Sequence, residues 1–88
     1  MSQVRTDLAQ LDALASELRR QGGAAGSLRS AVTGRLDGTD WTGLSAQSFR
    51  DRWAQDYEPM LRRLEQDLGQ LGAYVAQKRE EFDQAGNR

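Results

Sequence analysis

"DWTGLSAQSFRDRW", Asp40 to Trp53, lies at the centre of this 88-residue chain, and its reading decides the fold. The stretch opens with turn chemistry: Asp40, Thr42 and Gly43 disfavour helix and surround Trp41. Beyond Ser45 the helix-breaking residues stop, and Phe49, Trp53 and then Tyr57 recur every four residues. That spacing puts the three aromatics on one helical face. A chain reversal followed by an amphipathic helix is predicted.

Upstream of the reversal, Val4, Leu11, Leu18, Ala25 and Val32 keep a seven-residue beat. Leu8, Ala15 and Leu36 flank this column on one side, Leu14 and Leu28 on the other. The pattern predicts a first helix over about 3–37, a rod of about 50 Å at 1.5 Å per residue. Within it, "QGGAAG" (Gln21 to Gly26) carries three glycines in five residues. These cost about 2–3 kcal/mol of helix propensity relative to alanine, so either the helix bends there or something bulky approaches it. Gly38 is expected to end the helix in a left-handed conformation.

The turn then covers about 38–44, and the second helix about 45–84. Ser45 is the expected N-cap, with Leu44 and Phe49 as a hydrophobic staple. Phe49, Trp53, Tyr57, Met60, Leu64, Leu68, Leu71, Val75 and Phe82 are spaced by three, four or seven. Pro59 interrupts this helix and is expected to kink it, with the apolar stripe resuming in phase.

Composition agrees with an all-α class. There is no isoleucine, while the helix formers Leu, Ala and Arg are the commonest residues and Gln is frequent. The net charge is −1, with 38% hydrophobic and 28% charged residues and a mean hydropathy of −0.77. One small domain, residues 1–88, is expected. With no Cys and no His, thiol catalysis, Ser-His triads and the usual zinc sites are unavailable. Glu80 and Glu81 diverge on a helix and do not form a catalytic carboxylate pair. No enzyme activity, metal or cofactor is expected. Arg19-Arg20, Arg62-Arg63 and Lys78-Arg79 are balanced by nearby acids and predict solvated faces without a nucleic-acid patch. The N-terminus lacks the apolar run of a Sec signal or membrane span, so no stable membrane insertion is expected.

Folding the rods back about Trp41 gives an antiparallel hairpin in which residues equidistant from Trp41 meet. Leu18 then faces Leu64, Leu14 faces Leu68, Leu11 faces Leu71, and Leu8 faces Tyr74. The glycine stretch falls level with Tyr57, Pro59 and Met60. Both apolar stripes are wider than one seam, since Leu61, Leu68 and Val75 lie beside the Met60, Leu64 and Leu71 row. Pairing with a second hairpin into a four-helix bundle is the expected completion. Leu11, Leu14, Leu18, Phe49, Trp53, Tyr57, Met60, Leu64, Leu68 and Leu71 form the expected core and dimer stripe.

With these residues in place, the chain resembles the WXG family of small type VII (ESX) secretion proteins, relatives of early secreted antigenic target. Trp41-Thr42-Gly43 is a W-x-G tripeptide between two long helices. Ala46 and Phe49 follow where that family favours a small residue and an aromatic. The resemblance covers the whole chain. It implies a non-catalytic, virulence-associated substrate or pairing partner, cytoplasmic before export and then secreted folded by a non-Sec route. It also implies partnership with itself or a paired WXG-type protein, and engagement of a secretion ATPase. The family's Tyr-x-x-x-Asp/Glu export motif is altered: Tyr74 is followed four residues later by Lys78, with Glu80 and Glu81 out of frame. Those three, Tyr74, Glu80 and Glu81, form a degenerate export signal, or a different subunit supplies one. The alternative reading is an intracellular structural or adaptor hairpin acting through dimerisation only.

Overall fold

In the computed structural model, residues 6–86 are described; they are all helical apart from the turn and the first two residues, with no strand among them. Helix α1 spans Leu8–Asp37. After the turn, α2 (Leu44–Arg52), a π-helical turn (Trp53–Tyr57) and α3 (Glu58–Gly86) run on as one second rod. The two rods pack antiparallel as a hairpin, and no helix among the described residues is long and apolar enough to cross a membrane.

The first helix starts at Leu8 rather than near residue 3. Asp7 sits in extended backbone and its Oδ1 accepts from the Gln10 N–H at 3.0 Å, satisfying an otherwise orphan donor. Val4 lies outside the described residues. At the other end Gly38 closes the helix without the left-handed conformation expected of it: its φ is −87°, and its N–H donates to the Gly34 carbonyl at 3.1 Å.

Leu8, Leu11, Ala15, Leu18, Gly22, Ala25, Arg29, Val32 and Leu36 of α1 are buried or half-buried and spaced alternately by three and four, with buried Gly26 and half-buried Thr33 beside them. This is the heptad seam of an antiparallel helix pair. On the second rod the seam reads Ala46, Arg50, Trp53, Glu58, Leu61, Glu65, Leu68, Gly72, Val75 and Arg79. Its three-four rhythm breaks once, with five residues between Trp53 and Glu58. The stripe therefore does not resume in phase, and the π turn absorbs the extra residue: the Glu58 N–H donates to the Trp53 carbonyl, five residues back. Pro59 follows just after the π turn and has no N–H to donate to the preceding turn.

The register also differs from equidistance about Trp41. Gly22 and Gly26 lie against Glu65, Leu68 and Gly69, and Arg79 reaches Asp12 at 2.9 Å. The Leu18–Leu64, Leu14–Leu68, Leu11–Leu71 and Leu8–Tyr74 pairing is replaced by one in which α2 runs past the end of α1. Charged groups mark this register. The Arg29 guanidinium sits within the seam, 3.4 Å from Glu58 and 3.1 Å from Glu65. Arg62 bonds Glu58 at 2.6 Å and holds that carboxyl below its ordinary range, Arg29 adding to the effect against the opposing cost of burial.

The glycine stretch is thus pressed by Glu65 and Leu68, not by Tyr57 and Met60. A Cβ on Gly22 would lie 3.2 Å from the Glu65 carbonyl oxygen and 3.4 Å from Leu68 Cβ, whereas one on Gly23 meets nothing within 4 Å. These neighbours should respond with opposite signs. Gly22→Leu is expected to overpack the seam and cost about 1–3 kcal/mol. Gly23→Ala is expected to stabilise by up to about 1 kcal/mol through helix propensity. Urea titration of the two variants checks the signs; stabilisation by Gly22→Leu contradicts the close approach.

The hairpin measures 67 × 25 × 14 Å, two helices wide and one helix thick. Among the described residues the only buried hydrophobic ones are Ala15, Ala25 and Ala46, and no large side chain is fully buried. The accessible surface is 6946 Å². A compact chain of the same 9.8 kDa mass exposes about 5,200 Å².

Candidate functional site

Two features stand out on this slab: the tip that reverses the chain and an apolar face along one side. At the tip, Gly43 has φ 104° and ψ −178°, the only positive φ among the described residues. That region is essentially closed to residues bearing a Cβ, which gives the glycine of the W-x-G tripeptide a physical reason. Gly43→Ala is expected to cost about 1–3 kcal/mol, read as a lowered denaturation midpoint; an unchanged midpoint would show that the turn relaxes freely. Gly43 is also the N-cap of α2, which begins at Leu44. Ser45 therefore lies inside the helix rather than capping it, and the Gln47 N–H bonds the Gly43 carbonyl at 3.0 Å. The expected staple does not form, because Leu44 is 90% exposed.

Trp41 rests on Phe49, ring centroids 5.8 Å apart and tilted by 52°. Arg50 fixes this arrangement from the seam side. Its guanidinium donates to the Trp41 carbonyl at 2.7 Å and to the Thr39 carbonyl at 3.1 Å. Thr39 in turn donates its hydroxyl to the Arg35 carbonyl at 2.5 Å. Between the loop and α1 a hollow of about 470 Å³ is lined mostly by apolar groups, including Val32, Leu36, Trp41 and Phe49. Trp41 remains 39% exposed. Sequence reasoning did not single out Arg50, since a lone arginine on a polar helix carries no spacing signal.

The two tryptophans are placed differently. Trp53 lies half-buried in the seam and its indole N–H donates to the Thr33 hydroxyl at 3.0 Å, tying the π turn to α1. Tyr57 stacks beside it at 6.3 Å on the outer side.

The expected stripe of ten residues divides in two. Leu11, Leu18, Trp53 and Leu68 belong to the seam, whereas Leu14, Phe49, Tyr57, Met60, Leu64 and Leu71 are exposed, joined by Leu28, Tyr74 and Phe82. Leu14 and Leu28 each precede a seam residue of α1, as Tyr57, Leu64 and Leu71 do on the second rod. In an antiparallel pair, residues that precede the same seam position of each helix project to one side. Glycine and ion-pair contacts, including Asp12–Arg79 and Gly26–Glu65, occupy the opposite side. The hairpin thus has one apolar broad face and one polar broad face.

At the open end, Tyr74, Glu80 and Glu81 do not form one cluster. Lys78 lies 5.4 Å from the Tyr74 ring centroid and 3.0 Å from Glu81, a bond that holds its ammonium above the ordinary range. Glu80 pairs instead with Arg79 at 3.3 Å. Among the described residues no group of three or more acidic side chains is placed to hold a metal ion. In comparisons with known proteins, no family model, no curated protein and no solved structure matches the chain.

Proposed function

We propose that this chain is a small, non-catalytic substrate and pairing partner of a type VII (ESX) secretion system, exported folded as a dimer. The observation that carries the reading is the W-x-G tip: Gly43 adopts a backbone open to glycine, and Arg50 and Phe49 hold a partly exposed Trp41 at the chain reversal. The slab supports it, since an apolar face without a core behind it is completed by a second hairpin, giving a four-helix bundle. The partner is itself or a paired WXG-type hairpin. With hairpins antiparallel, the tip of one lies beside the open end of the other, and this composite end is what a secretion ATPase engages. The protein is cytoplasmic before export and extracellular after it, by a non-Sec route.

The test is fractionation of culture supernatant from a producing strain with and without the secretion ATPase. Wild type should reach the supernatant only when the ATPase is present. Trp41→Ala should keep helical content and pairing while losing most of its export, because the indole is seated on the surface of the tip. Normal secretion of Trp41→Ala, or ATPase-independent release of the wild type, contradicts the proposal. A second reading rests on Lys78, which stands where the family carries an acid. On that reading the hairpin dimerises inside the cell as an adaptor and is absent from the supernatant of either strain.

A further inference from the structure

The hollow between the W-x-G loop and α1 has the size and lining of a small-molecule site. Its volume of about 470 Å³ falls within the range of ligand pockets. Val32 and Leu36 of α1 form one wall, and the tilted rings of Trp41 and Phe49 form the other. Both walls are fixed without a ligand. Arg50 holds the loop through the Trp41 and Thr39 carbonyls, and the Thr39 hydroxyl ties it back to the Arg35 carbonyl. A preformed cavity removes the cost of ordering a site on binding.

The charge around this hollow has one sign. Arg35 lines it, and no acidic side chain does. Among the described residues Arg35 forms no ion pair. Trp41 bonds through its carbonyl, which leaves its indole N–H without an acceptor among them. The hydroxyl proton of Thr39 is already given to the Arg35 carbonyl. Two free donors and no carboxylate suit an anionic head group. The hollow beside Trp53 differs, since Arg50 shares its lining with Asp37 and Glu58.

We propose that the hollow binds a medium-chain alkyl carboxylate, one per hairpin. The alkyl body lies between Val32, Leu36 and the two rings, and the carboxylate accepts from the Arg35 guanidinium. The aliphatic and aromatic walls select the body, and the one unpaired cation selects a single carboxylate. Ala31 and Leu36 stand about 7.5 Å apart along α1, which accommodates a medium chain and not a long one. This site is independent of export, so either proposal can fail alone.

The probe is octanoate, with octanamide as its uncharged counterpart. Each is titrated into nitrogen-15-labelled protein and followed through the backbone and indole N–H resonances. Octanoate should give saturable shifts confined to Val32, Leu36, Phe49 and the Trp41 indole. The dissociation constant should lie below about 1 mM, within reach of a ligand of about ten non-hydrogen atoms. The Trp53 indole N–H, bonded to Thr33, should stay in place. Arg35→Gln should weaken octanoate about tenfold, the lower end for a hydrogen bond to a charged group, and leave octanamide unchanged. Ala31 is exposed on the wall of the hollow, so Ala31→Trp should fill it and abolish the shifts while circular dichroism stays that of the wild type. Equal octanoate affinity in wild type and Arg35→Gln, or no saturable shift at all, overturns the proposal. Shifts spread over Leu14, Leu28, Leu64 and Leu71 also overturn it, because the amphiphile then coats the apolar face. Binding seen only in Leu64→Asp overturns it as well and leaves pairing and export intact, since a partner then fills the hollow.

Discussion

Leu64→Asp is expected to convert the protein from dimer to monomer, with a loss of pairing free energy of several kcal/mol. In the single hairpin Leu64 is 45% exposed, so an aspartate there is hydrated and costs the hairpin itself little. In the proposed pair the same side chain would be enclosed by the partner's apolar face. A carboxylate without a cation partner in such a place carries most of its desolvation cost. Dimer dissociation constants by sedimentation should rise by more than a hundredfold, as a loss beyond about 2.7 kcal/mol implies. An affinity within a fewfold of wild type would show that Leu64 lies outside the interface.

Trp53→Ala is the second large effect, and it acts on the fold. Trp53 is the seam residue at the phase break, and its indole N–H bonds Thr33 on α1. Removing it takes away the largest side chain of the seam and unties the π turn from the first helix. Because the ring is only half-buried, the loss is expected near the lower end of the large-to-alanine range, about 3 kcal/mol. The denaturation midpoint should fall and pairing should weaken with it, because the apolar face is presented only by a formed hairpin. Trp53→Phe, which keeps the ring volume but not the donor, should recover most of the loss. If Trp53→Ala unfolds at the wild-type midpoint, the seam does not depend on this anchor.

The contrast between the two tryptophans was legible from sequence: one in a glycine-containing turn, one on a four-residue helical beat. So were the two rods and the reversal, because helix formers and heptad leucines on either side of Thr39 to Gly43 leave no other layout. The register was not. Leucine columns repeat every seven residues and fit several alignments equally well. The observed alignment is marked by Arg29 between Glu58 and Glu65 and by Arg79 beside Asp12, contacts that no spacing rule announces. Pro59 marked the disturbed stretch of the second helix: a proline acts on the turn before it, and there five residues separate Trp53 from Glu58 in the seam.

The site was partly legible in the same way. Gly43 and Trp41 follow from turn chemistry, yet Arg50, which holds the Trp41 carbonyl, lies nine residues away on a polar helix. The division of the stripe into a seam and an outer face depends on where each helix touches the other. A periodic pattern gives the width of an apolar stripe and not which half of it the partner helix covers. Leu14 and Leu11 look equivalent in sequence; in the hairpin Leu11 is half-buried and Leu14 is exposed.

The central claim is that a slab one helix thick, with only alanines among the buried hydrophobic residues of its described part, is half of a folded unit. Sedimentation equilibrium combined with thermal unfolding over a concentration series from low to high micromolar tests it most directly. The account predicts a species of twice the 9.8 kDa chain mass and a melting temperature that rises with concentration, because folding is coupled to association. A 9.8 kDa monomer throughout the series, unfolding cooperatively at a temperature independent of concentration and with no partner present, would contradict it.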